Sequence, residues 1–227
     1  MNTYIMINQK SNSTEILFED TDVIVLSKPE GLASISENDH KIESLHSILE
    51  KKLAIKIFPV HRLDKEVSGV IIFAKNGSAH KILNDQFEKR LIKKFYVTLV
   101  HGQVPNDSGI INKPIREFGS GRMGVDERKG KPSETKYRIL ERYNNYTSLE
   151  LNPSSGKRHQ LRVHLYFIGF PIVGDLRYGD KTIQQKYPRL MLHAGKIEFQ
   201  LPSGKNISVT ADLPTSFSTA LNEIIYK

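Results

Sequence analysis

Residues 61–75 read His61-Arg62-Leu63-Asp64-Lys65-Glu66-Val67-Ser68-Gly69-Val70-Ile71-Ile72-Phe73-Ala74-Lys75. One carboxylate, Asp64, stands near the cations Arg62 and Lys65, and Gly69 opens an apolar run from Val70 to Ala74. An unbroken run rich in β-branched and aromatic residues suits a buried strand. The polar residues ahead of it then form a short loop whose exit is anchored in the core, a common mount for a reactive group. Taken alone, an aspartate before a strand caps a turn or pairs with a surface lysine. Reading Asp64 as chemistry requires support from the rest of the chain.

Working outward, Ile16-Leu17-Phe18 and Val23-Ile24-Val25-Leu26 read as two strands around the acidic turn 19–22, followed by a turn at Lys28-Pro29-Glu30-Gly31. Ile42, Leu45, Ile48 and Leu49 fall at helical spacing within 42–53. A strand near 57–60 leads into the Asp64 loop. Ser78 is the expected N-cap of a helix reaching about Arg90, with Ile82, Leu83, Phe87 and Leu91 inward. Residues 94–100 alternate as a strand. Segment 112–136, rich in Gly, Lys, Arg, Glu and Pro, reads as a long, mobile, basic surface excursion. Strands are expected at 135–143 and 146–151, a helix from Lys157 to Ile168 stopping at Gly169, strands near 190–201 and 207–209, and a helix near 216–226. No repeat, low-complexity tract or linker divides the chain. The expected organisation is a polar N-terminal tail over 1–14 and a single domain over 15–227. Its expected class is α+β, with a mixed, mainly antiparallel β-sheet and flanking helices.

Bulk composition narrows the function. The 227 residues suffice for a sizeable core, and 38% hydrophobic with 26% charged content is ordinary for a globular chain. The longest apolar run is far short of the ~20 residues of a membrane span. Residues 1–14 contain no apolar segment of the secretory kind, so a cytoplasmic location is expected. With no cysteine, disulfides, thiolate metal sites and a cysteine nucleophile are excluded. The net charge is +8, from 33 Lys+Arg against 25 Asp+Glu, and suits a polyanionic partner whose counterions are released on binding.

Residues 61–75 closely resemble the HRLDxxTSGxxxxAK signature of the RluA-type RNA pseudouridine synthases, with Val67 in place of the usual threonine. The resemblance implies that Asp64 is the catalytic residue. A second block, Ser155-Gly156-Lys157-Arg158-His159-Gln160-Leu161-Arg162-Val163-His164, resembles the family's TGRTHQIRVHLxxxGHPIxGDxxYG and continues through Phe170 to Gly179. Ser155, Lys157 and Phe170 replace the usual Thr, Arg and His. Arg158 and Arg162, four apart, would share a face of the expected helix, which by itself reads as a solvated basic face. The resemblance implies instead that Arg162 pairs with Asp64 and favours its charged form. On this reading, replacing Arg162 by Met removes activity while sparing the fold.

Tyr96 lies in Lys94-Phe95-Tyr96-Val97-Thr98-Leu99-Val100-His101-Gly102, which resembles the family's KxYxALVxG. A tyrosine in an alternating strand is ordinarily a half-buried packing residue; the resemblance implies that it stacks on the target uracil. Arg62 is implied to insert where the flipped nucleotide was, a role suited to a planar guanidinium, the simpler alternative being a phosphate or carboxylate contact. His61 either packs or joins Arg62 at the RNA. Lys157, Arg158 and Arg122 complete the expected RNA contacts. Residues 16–31 resemble the family's N-terminal ILYEDDxLLVVNKPxG, and Leu190-Met191-Leu192-His193-Ala194 with 199–204 its C-terminal LLHAxxLxFxHPxxG. The resemblance spans roughly 16–213.

Two other patterns are rejected. Gly119-Ser120-Gly121-Arg122-Met123-Gly124 satisfies G-x-G-x-x-G but lacks the preceding apolar strand and following helix of a dinucleotide site. The eight histidines show no metal-ligand spacing. The family resemblance implies the pseudouridine synthase fold, with a central catalytic cleft. It further implies isomerisation of uridine in a tRNA or rRNA stem-loop, without metal, nucleotide or redox cofactor, by a monomer. Because the resemblance begins near Ile16, no N-terminal S4-like RNA-binding domain is expected. The alternatives are a catalytically inactive RNA-binding protein of the same fold, and a metal-dependent hydrolase using His61 and Asp64.

Overall fold

The computed structural model describes residues 3–6, 13–36 and 43–226. The first elements are β1 (Thr3–Met6), β2 (Ser13–Glu19), β3 (Val23–Lys28), α1 (Leu45–Leu53), β4 (Phe58–Pro59), β5 (Ser68–Ala74), α2 (Gly77–Glu88) and β6 (Lys93–His101). Then come β7 (Ser108–Asn112), β8 (Ile115–Glu117), β9 (Met123–Val125), β10 (Glu134–Tyr143), β11 (Tyr146–Pro153) and α3 (Gln160–Phe167). The chain closes with α4 (Lys181–Gln184), β12 (Leu192–Gln200), β13 (Asn206–Thr210) and α5 (Thr215–Ile225). The expected α+β class with a mainly antiparallel sheet is the observed one. The chain divides into two compact units, 1–94 with 194–212 and 95–193 with 213–227. Two of their boundaries fall inside β6 and β12, where no Gly/Pro-rich or polar linker interrupts the chain, and the third lies between β13 and α5.

In the first unit the strand order is β1-β2-β3-β5-β12, with β4 beside β5 and β13 beside β12. Every residue of β5 is buried, as the apolar run requires. Its side chains alternate between faces. Val70, Ile72 and Ala74 join Ala79 and Leu83 of α2 in one cluster with Val23, Val25, Ile197 and Phe199. From α1, the His46 ring stacks on Phe73 with centroids 6.2 Å apart. Each such buried aliphatic or aromatic side chain contributes on the order of 1.5–3 kcal/mol. The polar N-terminal stretch is more than a tail, because Thr3–Met6 pairs antiparallel with β2.

The helices of this unit start and stop differently from the expected bounds. α1 begins at Leu45, capped by Ser44 in a reciprocal capping box with Ser47; Ile42 lies outside the described residues. α2 is capped by Asn76, not Ser78, with the Asn76 Oδ1 accepting from the Ala79 N–H at 2.9 Å. The helix ends at Glu88, and Arg90 adopts φ 57°. Its inward stripe is Ala79, Leu83 and Gln86. Ile82 sits one step off that stripe, and Leu91 lies beyond the end, 61% exposed.

In the second unit β6-β11-β10-β7 form an antiparallel sheet in Greek-key order, with a bulge in β10 between Ile139 and Glu141. Segment 112–136, read as a mobile excursion, instead carries the β8–β9 hairpin, in register from Ile115↔Val125 to Glu117↔Met123. Ile115 and Met123 bury themselves with Val163 and Tyr178. Arg116 Nε donates to Asp126 Oδ2 at 2.5 Å. Asp126 Oδ1 accepts from the N–H groups of Arg128 and Lys129. Two well-spaced apolar residues and one carboxylate thus organise a stretch whose composition reads as loop. Residues 119–122 of the G-x-G-x-x-G run lie in the turn of this hairpin, and Met123 and Gly124 in β9.

Candidate active site

Asp64 sits on the loop between β4 and β5, and the backbone on both sides of it is pinned. Lys28, only 1% exposed, donates from Nζ to Pro29 O at 2.9 Å, Leu32 O at 2.8 Å and Lys65 O at 3.3 Å. The Gly31 N–H donates to Lys65 O at 2.8 Å, and the Val67 N–H to Asp64 O at 3.1 Å. Ser34 Oγ donates to Leu63 O and accepts from the Leu63 N–H, at 2.8 and 3.0 Å. Buried Leu63 and Val67 anchor the loop from below. The Lys28-Pro29-Glu30-Gly31 turn is therefore the strap that holds the Asp64 loop. Gly69 closes it: a Cβ there would lie 2.1 Å from Ala194 O, and φ is +116°, so only glycine lets β5 start so close to β12.

Around Asp64, Arg62 is exposed and His61 is packed. The His61 Nε2 accepts from the Ile72 N–H at 3.0 Å, and its ring lies 5.0 Å from that of Phe87. Part of the residue surface stays open, yet burial of the imidazole, with the Lys94 charge second, holds its pKa down to about 3. The neutral ring is spent on the backbone of β5, and that lone pair is not available to a metal. Burial also draws the Lys94 ammonium, 5.9 Å over the Phe87 ring, down to about 8.

The second unit holds Tyr96, Arg122, Lys157, Arg158 and Arg162. Tyr96 lies on β6 opposite Leu151 of β11 and is half-buried. The expected helix from Lys157 begins only at Gln160, because His159 takes φ 54°. Arg158 therefore precedes the helix, is exposed, and pairs with Glu117 at 3.2 Å. It does not share a helix face with Arg162.

Arg162 is 5% exposed and binds Asp175 through Nε–Oδ2 and Nη2–Oδ1, both 2.8 Å. The same Asp175 Oδ1 accepts from the N–H groups of Arg177 and Tyr178. The other polar residues of this stretch are equally committed. His159 Nδ1 meets Tyr178 OH at 2.8 Å, and Gln160 Nε2 donates to Glu134 O and Thr135 Oγ1. His164 Nδ1 meets Thr135 Oγ1, and its Nε2 meets Lys113 O, each at 2.9 Å. Burial lowers the His164 pKa, and the backbone bond to Lys113 opposes this in part. The expectation that Arg162→Met spares the fold is overturned: it would strand a buried Asp175 carboxylate, costing about 3–5 kcal/mol. Asp175, Tyr178 and Lys28 were not singled out from the sequence, although each stands in a block that resembles the family. Among the described residues no three His, Asp or Glu side chains gather as a metal site.

A family model described as RNA pseudouridylate synthase matches residues 22–166. The chain is 33% identical over 244 residues to ribosomal large subunit pseudouridine synthase C of Buchnera aphidicola subsp. Acyrthosiphon pisum, covering 99% of this chain and 75% of that one. It is 38% identical over 224 residues to the protein of the same name from Buchnera aphidicola subsp. Baizongia pistaciae, covering 92% and 70%. Among solved structures, human RNA pseudouridylate synthase domain containing 4 superposes with a TM-score of 0.77 at 26% identity, covering 92% of each chain. These matches place the chain in the RNA pseudouridylate synthase family, the cofactor-independent isomerases that convert uridine in RNA to pseudouridine.

Proposed function

We propose that this pseudouridine synthase acts on large-subunit ribosomal RNA, with Asp64 as its catalytic carboxylate, Arg162 as the counter-ion of Asp64 and Tyr96 as the stacking partner of the target uracil. The observation that carries the substrate is the similarity to ribosomal large subunit synthases along nearly the whole chain. The observation that supports Asp64 is its mounting: a carboxylate on a loop whose backbone is held by Lys28, Gly31 and Ser34 keeps its position while a bond is broken beside it. The reaction opens the N1–C1′ bond, turns the base and rejoins it through C5, from which the proton is lost. Asp64 acts at the sugar as nucleophile or as general base. Arg162, oriented by its two bonds to Asp175, supplies the positive charge that keeps the carboxylate ionised. Arg62, exposed beside Asp64, takes the space of the extruded nucleotide, and Lys157 and Arg158 meet phosphates.

The test uses ribosomal RNA tritiated at C5 of uridine, taken from cells lacking this gene. Wild-type protein releases tritium and does so equally in EDTA. Asp64→Asn binds the RNA with similar affinity, since phosphate contacts dominate, but releases none. Release by Asp64→Asn would refute the catalytic assignment. Loss of wild-type release in EDTA would restore the hydrolase alternative.

A further inference from the structure

Between the β8–β9 hairpin and α3 lies a cavity of about 690 Å³. Phe118, Arg122 and Met123 line it from the hairpin side, Val163 and Tyr166 from α3, and Tyr178 from the loop beyond. Its size is that of a small-molecule site and exceeds what one nucleobase fills. Buried Met123 and Val163 form an apolar floor, while Phe118 and Tyr166 keep 38% and 47% of their surface open. The Phe118 ring can lie against the hairpin backbone because residue 124 is glycine; a Cβ there would come within 2.8 Å of the ring. Arg116 covers one side of that ring, its guanidinium carbon 4.2 Å from the centroid.

Arg122 is the unusual member. Its guanidinium stands 5.6 Å from the Tyr166 ring centre and 5.2 Å from that of Tyr178. Arg116 is paired with Asp126 and Arg158 with Glu117, but among the described residues Arg122 has no carboxylate partner. The surrounding segment 113–131 carries six Lys/Arg against three Asp/Glu, so the entrance is positive. Part-exposed aromatic rings beside an unneutralised guanidinium match one ligand chemistry well: a flat base carrying a phosphate. A purely apolar ligand would leave that charge unanswered. A base paired within a helix could not reach the rings, whereas an unstacked one could.

We propose that this cavity is a subsite for an unpaired RNA nucleotide other than the target uridine, its base stacked on Phe118 and Tyr166 and its phosphate held by Arg122. The proposal rests on RNA being the substrate, which family membership supports, and does not depend on Asp64 being the catalytic group. Stacking of this kind is tolerant of base identity, so the subsite contributes grip and register more than sequence choice.

The probe is an oligouridylate of about ten nucleotides with one central 2-aminopurine, whose fluorescence is quenched on stacking. Wild-type protein is expected to quench it saturably. Phe118→Ala and Tyr166→Ala are expected to weaken binding roughly tenfold or more, and Tyr166→Trp to restore it. Both side chains are substantially exposed, and thermal melts verify that the variants stay folded. With tritiated ribosomal RNA, the two alanine variants are expected to raise KM by a similar factor while kcat stays within about twofold. Quenching and KM unchanged in both alanine variants would overturn the subsite while leaving the pseudouridine synthase reading intact. Quenching lost in the variants, with a wild type that releases no tritium from ribosomal RNA, would support the subsite and overturn the proposed substrate.

Discussion

Lys28 donates to three backbone carbonyls from a nearly closed position, and one of the three belongs to Lys65, the neighbour of Asp64. Lys28→Met keeps the length of the side chain but leaves Pro29 O and Leu32 O short of a donor in a buried space, where each unmet group costs about 1–3 kcal/mol, while Lys65 O keeps the Gly31 N–H. Removing the charge also relieves its desolvation, so the expected net loss is about 2–4 kcal/mol in urea unfolding, with a larger fall in tritium release because the loop loosens. Lys28→Arg is not expected to rescue, since a planar fork cannot point three donors at convergent carbonyls. A variant as stable and as active as wild type would remove the strap from the account. The same logic applies to Arg162. Arg162→Met is expected to lose about 3–5 kcal/mol, and Arg162→Met combined with Asp175→Leu to be more stable than Arg162→Met alone, because the stranded carboxylate is gone. Equal stability of the single and double variants would mean that the pair is not the source of the loss. Here the sequence shows the arginine but not its partner. Asp175 is thirteen residues away, and nothing in spacing or composition joins it to Arg162 until the chain turns back beyond α3.

At the scale of elements, caps decide where structure starts. The Asn76 Oδ1 accepts from the Ala79 N–H, and its Nδ2 donates to Asp22 Oδ1 at 2.7 Å, so one side chain both starts α2 and ties it to the turn before β3. Asn76→Ala is expected to cost about 1–2 kcal/mol in a urea titration, and Asn76→Asp no less, since its carboxylate still caps but stands against that of Asp22. Ser78→Ala, by contrast, is expected to be nearly neutral; a reversal of this order would return the cap to Ser78. Elements with strong periodicity were legible in advance. The β5 run, the β10 and β11 strands and the final helix all lie within a few residues of their expected bounds. What failed depends on single backbone angles or distant partners. The left-handed His159 delays α3 by three residues and takes Arg158 off the helix, yet a histidine is only a weak signal for that conformation. The β8–β9 hairpin is held by Ile115 and Met123 packing on Val163 and Tyr178, which lie far along the chain, so local composition could show only a charged loop. For the candidate site, the Asp64 loop was visible because its residues are contiguous. The strap beneath it was not, because it is built from contacts between separate segments.

Taken over the whole molecule, the titration of histidine links stability to pH in a direction that the structure fixes. His61 is held neutral at a pKa of about 3, chiefly by burial, and burial also lowers His101 and His164. Their unfolded values lie near ~6.5. Below that pH the unfolded chain takes up protons that the native state refuses, so stability is full above about pH 6.5 and is lost as pH falls toward the folded value. For His61 alone the loss is about 2 kcal/mol by roughly pH 5, at 1.36 kcal/mol for each unit below 6.5. His101 and His164 add to it in the same direction. The carboxylates whose pKa is lowered, Asp126 and Asp180, stay ionised throughout this window and do not confuse the reading. His61→Gln keeps an acceptor for the Ile72 N–H but cannot take up a proton. Urea midpoints at pH 7.5 and pH 5 should therefore fall clearly in wild type and by about 2 kcal/mol less in His61→Gln. At pH 7.5 the variant lacks the Phe87 ring contact and should be the less stable of the two. An equal acid loss in both proteins would show that the His61 ring is hydrated in the native state. It would also free its nitrogen for the metal and RNA roles that its bond to β5 now denies it.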